Sequence, residues 1–211
     1  MIPFKLHSSK GVREIAVANC WLPNGDNQTP MTTGQFQEFI NWDGQDLVKL
    51  FSILSGINAK VLSDTHDYIL EEQLIAATRF IYEEPMAFKE AKLPHWIEIE
   101  GKQIRIPTLI GGLSIGQNIH ARQALDKAKV YEELISFVVA LYLQPLYDES
   151  DFDYHRAVEL EQKILLLPIS KTYPIGFFLL KKLMPHGSSM WSNVSRLIAR
   201  LLTLSIRREA T

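Results

Sequence analysis

Apolar and polar residues alternate in two short stretches of the chain, each of which bends at a glycine-bearing turn. The first stretch covers residues 3–17 and turns at Ser8-Ser9-Lys10-Gly11. The second covers residues 96–106 and turns at Gly101-Lys102, and isoleucines occupy alternate positions along both of its arms. Because strand side chains point alternately to opposite faces, this period predicts two β-hairpins.

Elsewhere apolar residues recur every three or four positions, which is the spacing of one helix face. Gly56 suits the left-handed residue that commonly ends a helix. Pro145 is predicted to end a strongly apolar helix, and Pro174 to lie in the first turn of a short one. The predicted helices cover residues 32–42, 45–55, 65–82, 130–143, 154–166 and 189–207, a stretch beginning at Ser114 and one ending near Met184. The sequence therefore predicts a mainly α fold with two short β-hairpins (α+β).

Short polar side chains mark several of the predicted helix starts. Thr32 or Thr33 suits the N-cap of the first helix, since a hydroxyl oxygen can accept a hydrogen bond from an exposed backbone N–H. Ser114 followed by Gln117 three residues later has the pattern of a capping box. Asn58 suits the start of a further helical turn.

Two five-residue segments share one pattern. Met31-Thr32-Thr33-Gly34-Gln35 and Leu113-Ser114-Ile115-Gly116-Gln117 both have an apolar residue, Ser or Thr, any residue, Gly and Gln. Each follows a predicted hairpin, opens a predicted helix and precedes a second apolar helix. This shared order predicts two hairpin-plus-helices units, residues 1–94 and residues 95–211, related by duplication. Chance similarity between two capped helix starts is the alternative.

The bulk composition is that of a globular protein. The chain has 211 residues, 46% apolar and 22% charged, with a formal net charge of −2, so no global charge favours nucleic acid. Its single cysteine, Cys20, cannot form an internal disulfide, and no zinc-ligand spacing occurs. The N-terminus lacks the pattern of a signal peptide. No apolar stretch reaches the roughly 18 residues that span a bilayer, so no membrane span is predicted.

Charge is unevenly distributed along the chain. Residues 171–211 contain seven basic residues and one acidic residue, whereas residues 1–170 contain fifteen basic and twenty-three acidic residues. This basic segment is either a contact surface for an acidic partner, a phosphate or a membrane surface, or a solvated helix face. Three arginines without clustered exposed aromatics disfavour nucleic acid as the partner. The residues predicted to contact a partner are Lys181, Lys182, Arg196, Arg200 and Arg207.

Some histidine, serine and cysteine positions are candidates for catalysis, but a structural role explains each. His66 stands between Asp64 and Asp67 and is a candidate base or metal ligand, yet Asp64 also suits a helix N-cap. Ser188-Ser189 near His186 lacks the Gly-x-Ser-x-Gly turn of a hydrolase. Cys20 follows an alternating apolar segment, which is typical of a buried thiol.

The acidic and glycine-rich segments also carry no specific site. The cluster that runs from Asp148 to His155 lacks the glycine and distal glutamate of a calcium loop and is typical of a loop entering a helix. Gly111-Gly112 with Gly116 matches neither a phosphate loop nor a dinucleotide-binding fingerprint. The sequence therefore predicts no catalytic residue, no metal site and no cofactor, and the protein is not expected to be an enzyme.

The helical segments resemble small morphogenetic proteins of tailed bacteriophages. In that family a start of the form threonine, any residue, Gly, Gln or Glu, aromatic precedes a helix similar to Ser52-Ile53-Leu54-Ser55-Gly56. Here Thr32 to Phe36 matches that start. The hairpin over 97–106, the start at Ser114 and the helix ending at Leu141-Tyr142-Leu143-Gln144-Pro145 look like the second half of such a protein. Together these segments cover about two thirds of the chain, although Asn118-Ile119 replaces the expected aromatic.

The resemblance implies a non-enzymatic tail, neck or baseplate protein that acts through protein–protein contacts. Its expected partners are other phage structural proteins in a symmetric multi-copy assembly, located in the host cytoplasm during assembly or in the virion. One alternative is a tail assembly chaperone that is absent from the mature virion. Another is a regulatory protein that binds nucleic acid or a membrane surface through the C-terminal basic helix. A hydrolase would need His66 or His155 to meet carboxylates in a cleft.

Overall fold

The computed structural model of the chain describes residues 4–8, 11–20, 29–63, 80, 92–107 and 113–184. These residues confirm the prediction of a mainly helical protein with two short antiparallel hairpins. The predicted helix over 189–207 lies outside the described residues. The same holds for the predicted helix over 65–82, apart from Phe80, which is helical.

The chain divides into two compact units. Unit 1 takes the described parts of Met1–Met31 and Gln35–Met86. Unit 2 takes Thr32–Gly34 together with the described part of Ala87–Met190. The division into residues 1–94 and 95–211, and a duplication relating the two halves, stay predictions.

The first hairpin, in unit 1, is confirmed. Strand β1 (Phe4–Ser8) pairs antiparallel with β2 (Gly11–Ile15). In this register Phe4 is opposite Ile15 and Ser8 is opposite Gly11. Helices α1 (Thr33–Ile40), α2 (Leu47–Ser55) and α3 (Ala59–Ser63) follow.

Helix α2 has well-defined signals at both ends. The Asp46 carboxylate accepts a hydrogen bond from the Lys49 backbone N–H at 3.0 Å, which satisfies one of the exposed donors of the first turn. Gly56 adopts a φ of +68° and ends the helix, as predicted. Asn58 begins the next turn, because its side chain accepts from the Lys60 N–H. The core side chains that unit 1 buries around these helices are Ile15, Val17, Ala18, Cys20, Met31, Phe36, Phe39, Trp42, Leu50, Phe51, Ile53, Leu54 and Leu62.

The second hairpin, in unit 2, joins β3 (Trp96–Ile99) to β4 (Lys102–Arg105). Its turn is Glu100-Gly101, one residue earlier than predicted, because Ile99 pairs with Lys102. Glu100 has φ +50° and Gly101 has φ +79°, the left-handed pair that a two-residue hairpin turn requires. The isoleucines of both arms are buried on one face, as the alternation predicted.

Unit 2 continues with helices around one central apolar helix. Helix α4 (Ile115–Leu125) is followed by a 3₁₀ turn (Tyr131–Leu134) and then by α5 (Ile135–Asp148). Helices α6 (Tyr154–Leu165) and α7 (Ile169–Leu183) complete the unit. Helix α5 packs against α4, α6 and α7, so it is covered on several sides, which explains its continuous apolar run.

Pro145 does not end helix α5, contrary to the prediction. The helix continues to Asp148 and ends where Glu149 adopts a φ of +55°. Proline has no N–H to donate to the carbonyl four residues earlier, which here belongs to Leu141. That carbonyl instead accepts a hydrogen bond from the side-chain amide of Gln117 at 2.6 Å. A long-range contact therefore satisfies the group that the proline leaves open.

Pro174 also lies inside a helix rather than in its first turn. Helix α7 begins at Ile169, five residues before the proline, and Pro168 occupies the position that precedes the helix. Pro174 and its neighbours Tyr173 and Ile175 are buried. Tertiary packing of this apolar face offsets the hydrogen bond that an internal proline removes.

Candidate contact surface

The predicted basic contact residues fall in two groups. Lys181 and Lys182 form the last turn of α7 and are exposed, and the Lys182 ammonium lies 4.8 Å from the centroid of the Phe178 ring. Arg196, Arg200 and Arg207 lie outside the described residues. The basic surface proposed from the sequence is thus represented in the described chain by its two lysines.

The acidic cluster forms a helix start, as predicted. The Asp153 carboxylate accepts hydrogen bonds from the backbone N–H groups of His155 at 2.8 Å and Arg156 at 3.2 Å, and these bonds lower the pKa of Asp153. Glu149 pairs with Lys102, and Asp148 accepts from the Gln144 amide. Among the residues that the structure describes, no group of three His, Cys, Asp or Glu side chains is arranged to hold a metal ion.

The remaining candidates for chemistry are a buried thiol and residues outside the described chain. Cys20 is 6% exposed, and its burial raises the pKa of the thiol, which disfavours the nucleophilic thiolate. This confirms the prediction of a buried small hydrophobe. His66 and its flanking aspartates lie outside the described residues, as do His186 and Ser188-Ser189.

Two lysines connect the second hairpin to the helices of unit 2. The Lys102 ammonium lies 2.9 Å from the Glu149 carboxylate, and the Lys163 ammonium lies 2.7 Å from the Glu100 carboxylate. Lys163 also donates to the Tyr147 hydroxyl at 3.2 Å. Pairing with a lysine lowers the pKa of both glutamates. Because these groups are largely exposed, they orient the turn of the hairpin and contribute little stability.

Helix α4 begins with the capping box that the sequence predicts. The Ser114 hydroxyl accepts from the Gln117 N–H at 3.3 Å, and the Gln117 side-chain oxygen accepts from the Ser114 N–H at 2.7 Å. The side-chain nitrogen of the same glutamine donates to the Leu141 carbonyl of α5. One buried side chain therefore both caps α4 and fixes it to the central helix.

The amphipathic pattern of α4 is inverted. Its buried residues are Gln117 and Ala121, whereas Ile115 is 83% exposed and Ile119 is 50% exposed. The two isoleucines are four residues apart and therefore adjacent on the outer surface of the helix. Apolar side chains on solvated faces are common singly, but a contiguous group of them is typical of a binding surface.

Aromatic rings lie at the residues that directly follow the two isoleucines, Gly116 and His120. The His120 ring stacks on Tyr154 with centroids 4.1 Å apart and an interplanar angle of 20°, and it lies 6.1 Å from Phe152. Tyr154 is 37% exposed. Phe152 also packs against Gly116, where an added Cβ atom would lie 3.2 Å from its ring. We define the α4 surface as Ile115, Ile119, His120, Phe152 and Tyr154.

The sequence did not indicate the α4 surface. It placed the capping box correctly but gave no reason for isoleucines to face outwards, because an i, i+4 apolar pair normally marks the buried face of a helix. The available signal was the scarcity of large apolar residues in this helix, where Ile119 is the only one between Ile115 and Leu125. The α4 surface is an exposed patch of apolar and aromatic side chains.

Within the described part of the chain, no helix combines the length and apolar character needed to cross a bilayer. Comparison with protein-family models, with curated proteins and with solved structures found no match to this chain.

Proposed function

We propose that this protein is a non-enzymatic structural or assembly protein of a tailed bacteriophage, in the tail, neck or baseplate, and that it acts through protein–protein contacts. The resemblance of the two helix starts to phage morphogenetic proteins supports the viral context. The polar residues of the motifs cap helices and form hydrogen bonds between helices. This supports an architectural rather than a catalytic role for these residues.

The observation that carries the proposal is the inverted face of α4. Helix α4 buries Gln117 and exposes Ile115 and Ile119 beside a stacked pair of rings. Covering one exposed isoleucine contributes roughly 1.5–3 kcal/mol to binding. Two adjacent aliphatic anchors with aromatic neighbours have the composition of an interface hot spot. The partner is another phage structural protein with a complementary apolar surface.

Composition of purified particles tests the biological context. Mass spectrometry of purified virions and of tail assembly intermediates should detect the protein in at least one of them. Presence in virions identifies a structural component, whereas presence in intermediates alone identifies an assembly chaperone. Absence from both would reject the proposal.

The double substitution Ile115→Asp and Ile119→Asp tests the contact surface itself. It should reduce incorporation into particles or intermediates by roughly tenfold or more, because two apolar anchors are lost. Leu166→Asp is the matched control, since Leu166 is 76% exposed and lies outside the α4 surface. Equal incorporation of the double variant and the wild type, with both folded by circular dichroism, would remove α4 from the contact.

A regulatory protein that binds nucleic acid or a membrane surface is the second candidate, favoured by the exposure of Lys181 and Lys182 at the end of α7. Replacing these lysines together with Arg196, Arg200 and Arg207 by alanine should then abolish binding that weakens steeply with salt. Wild-type protein that binds neither DNA, RNA nor anionic vesicles at low salt would reject this function.

A further inference from the structure

Glu132 is a buried carboxyl group in the 3₁₀ turn that precedes α5. Its side chain is 0% exposed, and neither carboxyl oxygen accepts a hydrogen bond from any other residue that the structure describes. A charged carboxylate in such a place is costly, because it loses hydration without gaining a partner. The described environment therefore suits the neutral, protonated form of this side chain.

Within the described part of the chain, the groups around Glu132 offer it no compensating positive charge. Glu133, on the same turn, carries the same sign of charge and raises the pKa of Glu132. Tyr173 is contributed by α7, and the charge of Glu132 helps to raise the pKa of that phenol. Helix α5 presents Ser136, whose hydroxyl donates to Glu161 at 2.6 Å.

Helix α4 is the third helix that packs against the turn, and its charged groups are directed elsewhere. The guanidinium Nε of Arg122 donates to Asn118 at 3.0 Å, and Arg122 is exposed. Asp126, at the C-terminal end of the helix, is also exposed. Burial is thus the largest influence on Glu132 and raises the pKa of its carboxyl group to about 7.

We propose that Glu132 is a pH-sensitive switch, which holds the turn Tyr131–Leu134 in the core of unit 2 as a neutral acid and releases it on ionisation. The turn joins the end of α4 to the start of α5. Its release therefore loosens the connection between α4, which carries the α4 surface, and the central helix α5. No covalent chemistry is involved. One proton leaves the carboxyl group for solvent, and the carboxylate then moves toward water.

The direction of the pH effect follows from proton linkage. The pKa of an unfolded glutamate is about 4.5, whereas burial raises the pKa of folded Glu132 to about 7. Its contribution to stability is therefore fully present below pH 4.5 and is lost as the pH rises to about 7. Across this interval the folding equilibrium constant should fall on the order of 100-fold through this one group.

Urea unfolding of the full chain at pH values from 4.5 to 8 tests the switch. Wild-type stability should decrease with pH more steeply than that of Glu132→Gln, by up to one proton in the linkage slope between pH 4.5 and 7. Glu133→Gln is the matched control and should change the slope far less than Glu132→Gln, because Glu133 is itself less buried and its charge is the smallest influence on the pKa of Glu132. Equal slopes for wild type and Glu132→Gln would overturn the proposal.

Two measurements on wild-type protein address the proton and the turn directly, even if Glu132→Gln fails to fold. Infrared titration should show a protonated carboxyl band at pH 6 that disappears by pH 8. Hydrogen exchange of the amides of residues 131–136, corrected for the intrinsic effect of pH, should accelerate at least tenfold over the same interval relative to α6. A carboxyl band absent at pH 6, or unchanged protection at 131–136, would contradict the proposal.

Discussion

The first turns of α1 and α4 carry the same five-residue pattern, and their glutamines make the same kind of contact. The side-chain amide of Gln35 donates to the Leu54 carbonyl of α2 at 2.9 Å. The side-chain amide of Gln117 donates to the Leu141 carbonyl of α5 at 2.6 Å. In each case the third residue of a helix reaches the backbone of a later apolar helix. A glutamine at this position therefore fixes one helix to another as well as marking a helix start.

The two first turns differ in what covers them. Thr33 is buried, and its hydroxyl lies 3.0 Å from the Leu167 carbonyl and 2.6 Å from the Thr172 hydroxyl. Ile115 holds the equivalent position in α4 and is 83% exposed. The third residue of the shared pattern is thus covered by other residues of the chain in α1 and exposed to solvent in α4. This difference in burial distinguishes a structural helix start from a candidate binding surface. A duplication of the two units stays a prediction.

The largest expected effect concerns the two glutamines. Gln117→Ala should lower the free energy of unfolding by about 3 kcal/mol, because it removes part of a capping box and leaves the buried Leu141 carbonyl unsatisfied beside Pro145. Gln35→Ala should cost about 1 kcal/mol, because Gln35 is only half-buried. Chemical denaturation of both variants measures the difference.

Ser114→Ala separates the two roles of Gln117. It removes the capping hydroxyl but keeps the bond to Leu141, so it should cost only about 1 kcal/mol. If Ser114→Ala and Gln117→Ala destabilise the protein equally, the bond to α5 contributes nothing and the parallel with Gln35 fails.

Local patterns predicted the features of the fold that depend on neighbouring residues. The alternating isoleucines predicted the second hairpin, and Ser114 with Gln117 predicted the capping box, because both involve groups within a few positions of each other. The continuation of α5 through Pro145 was not predictable in this way. It depends on Gln117, which is 28 residues away along the chain and supplies a donor to the carbonyl that the proline leaves open.

The candidate site was predictable to a smaller extent than the fold. The sequence placed Lys181 and Lys182 near the end of a helix, and their exposure agrees with a contact role without testing it. It did not indicate the outward face of Ile115, because which face of a helix is buried depends on how that helix packs. Nor did it single out Glu132, since two consecutive glutamates are typical of a solvated turn.

The next effect concerns the position that is buried in α1 and exposed in α4. Thr33→Val keeps the shape of the side chain but removes its hydroxyl, and it should cost about 1–2 kcal/mol because the Thr172 hydroxyl loses its buried neighbour. Ile115→Val removes one methylene group at a solvated site and should change stability by less than about 0.5 kcal/mol. Thermal and urea unfolding of both variants provide the measurement. Equal costs would mean that Ile115 is covered in solution.

The smallest effect concerns the two motif glycines, Gly34 and Gly116, of which only Gly34 should lose stability on substitution by alanine. Alanine in place of glycine in a helix contributes up to about 1 kcal/mol of stability. At Gly34 the new Cβ atom would lie 3.2 Å from the Leu165 carbonyl oxygen, a backbone atom that cannot move aside, so Gly34→Ala should be destabilising by about 1 kcal/mol. At Gly116 the same distance of 3.2 Å is to the ring of Phe152, a half-buried side chain that can rotate. Gly116→Ala should therefore be neutral or slightly stabilising by urea unfolding.

The control combines Gly116→Ala with Phe152→Leu, because a smaller side chain at position 152 should make the alanine more favourable. If Gly116→Ala is destabilising both with and without Phe152→Leu, the α4 surface is as rigid as the covered start of α1.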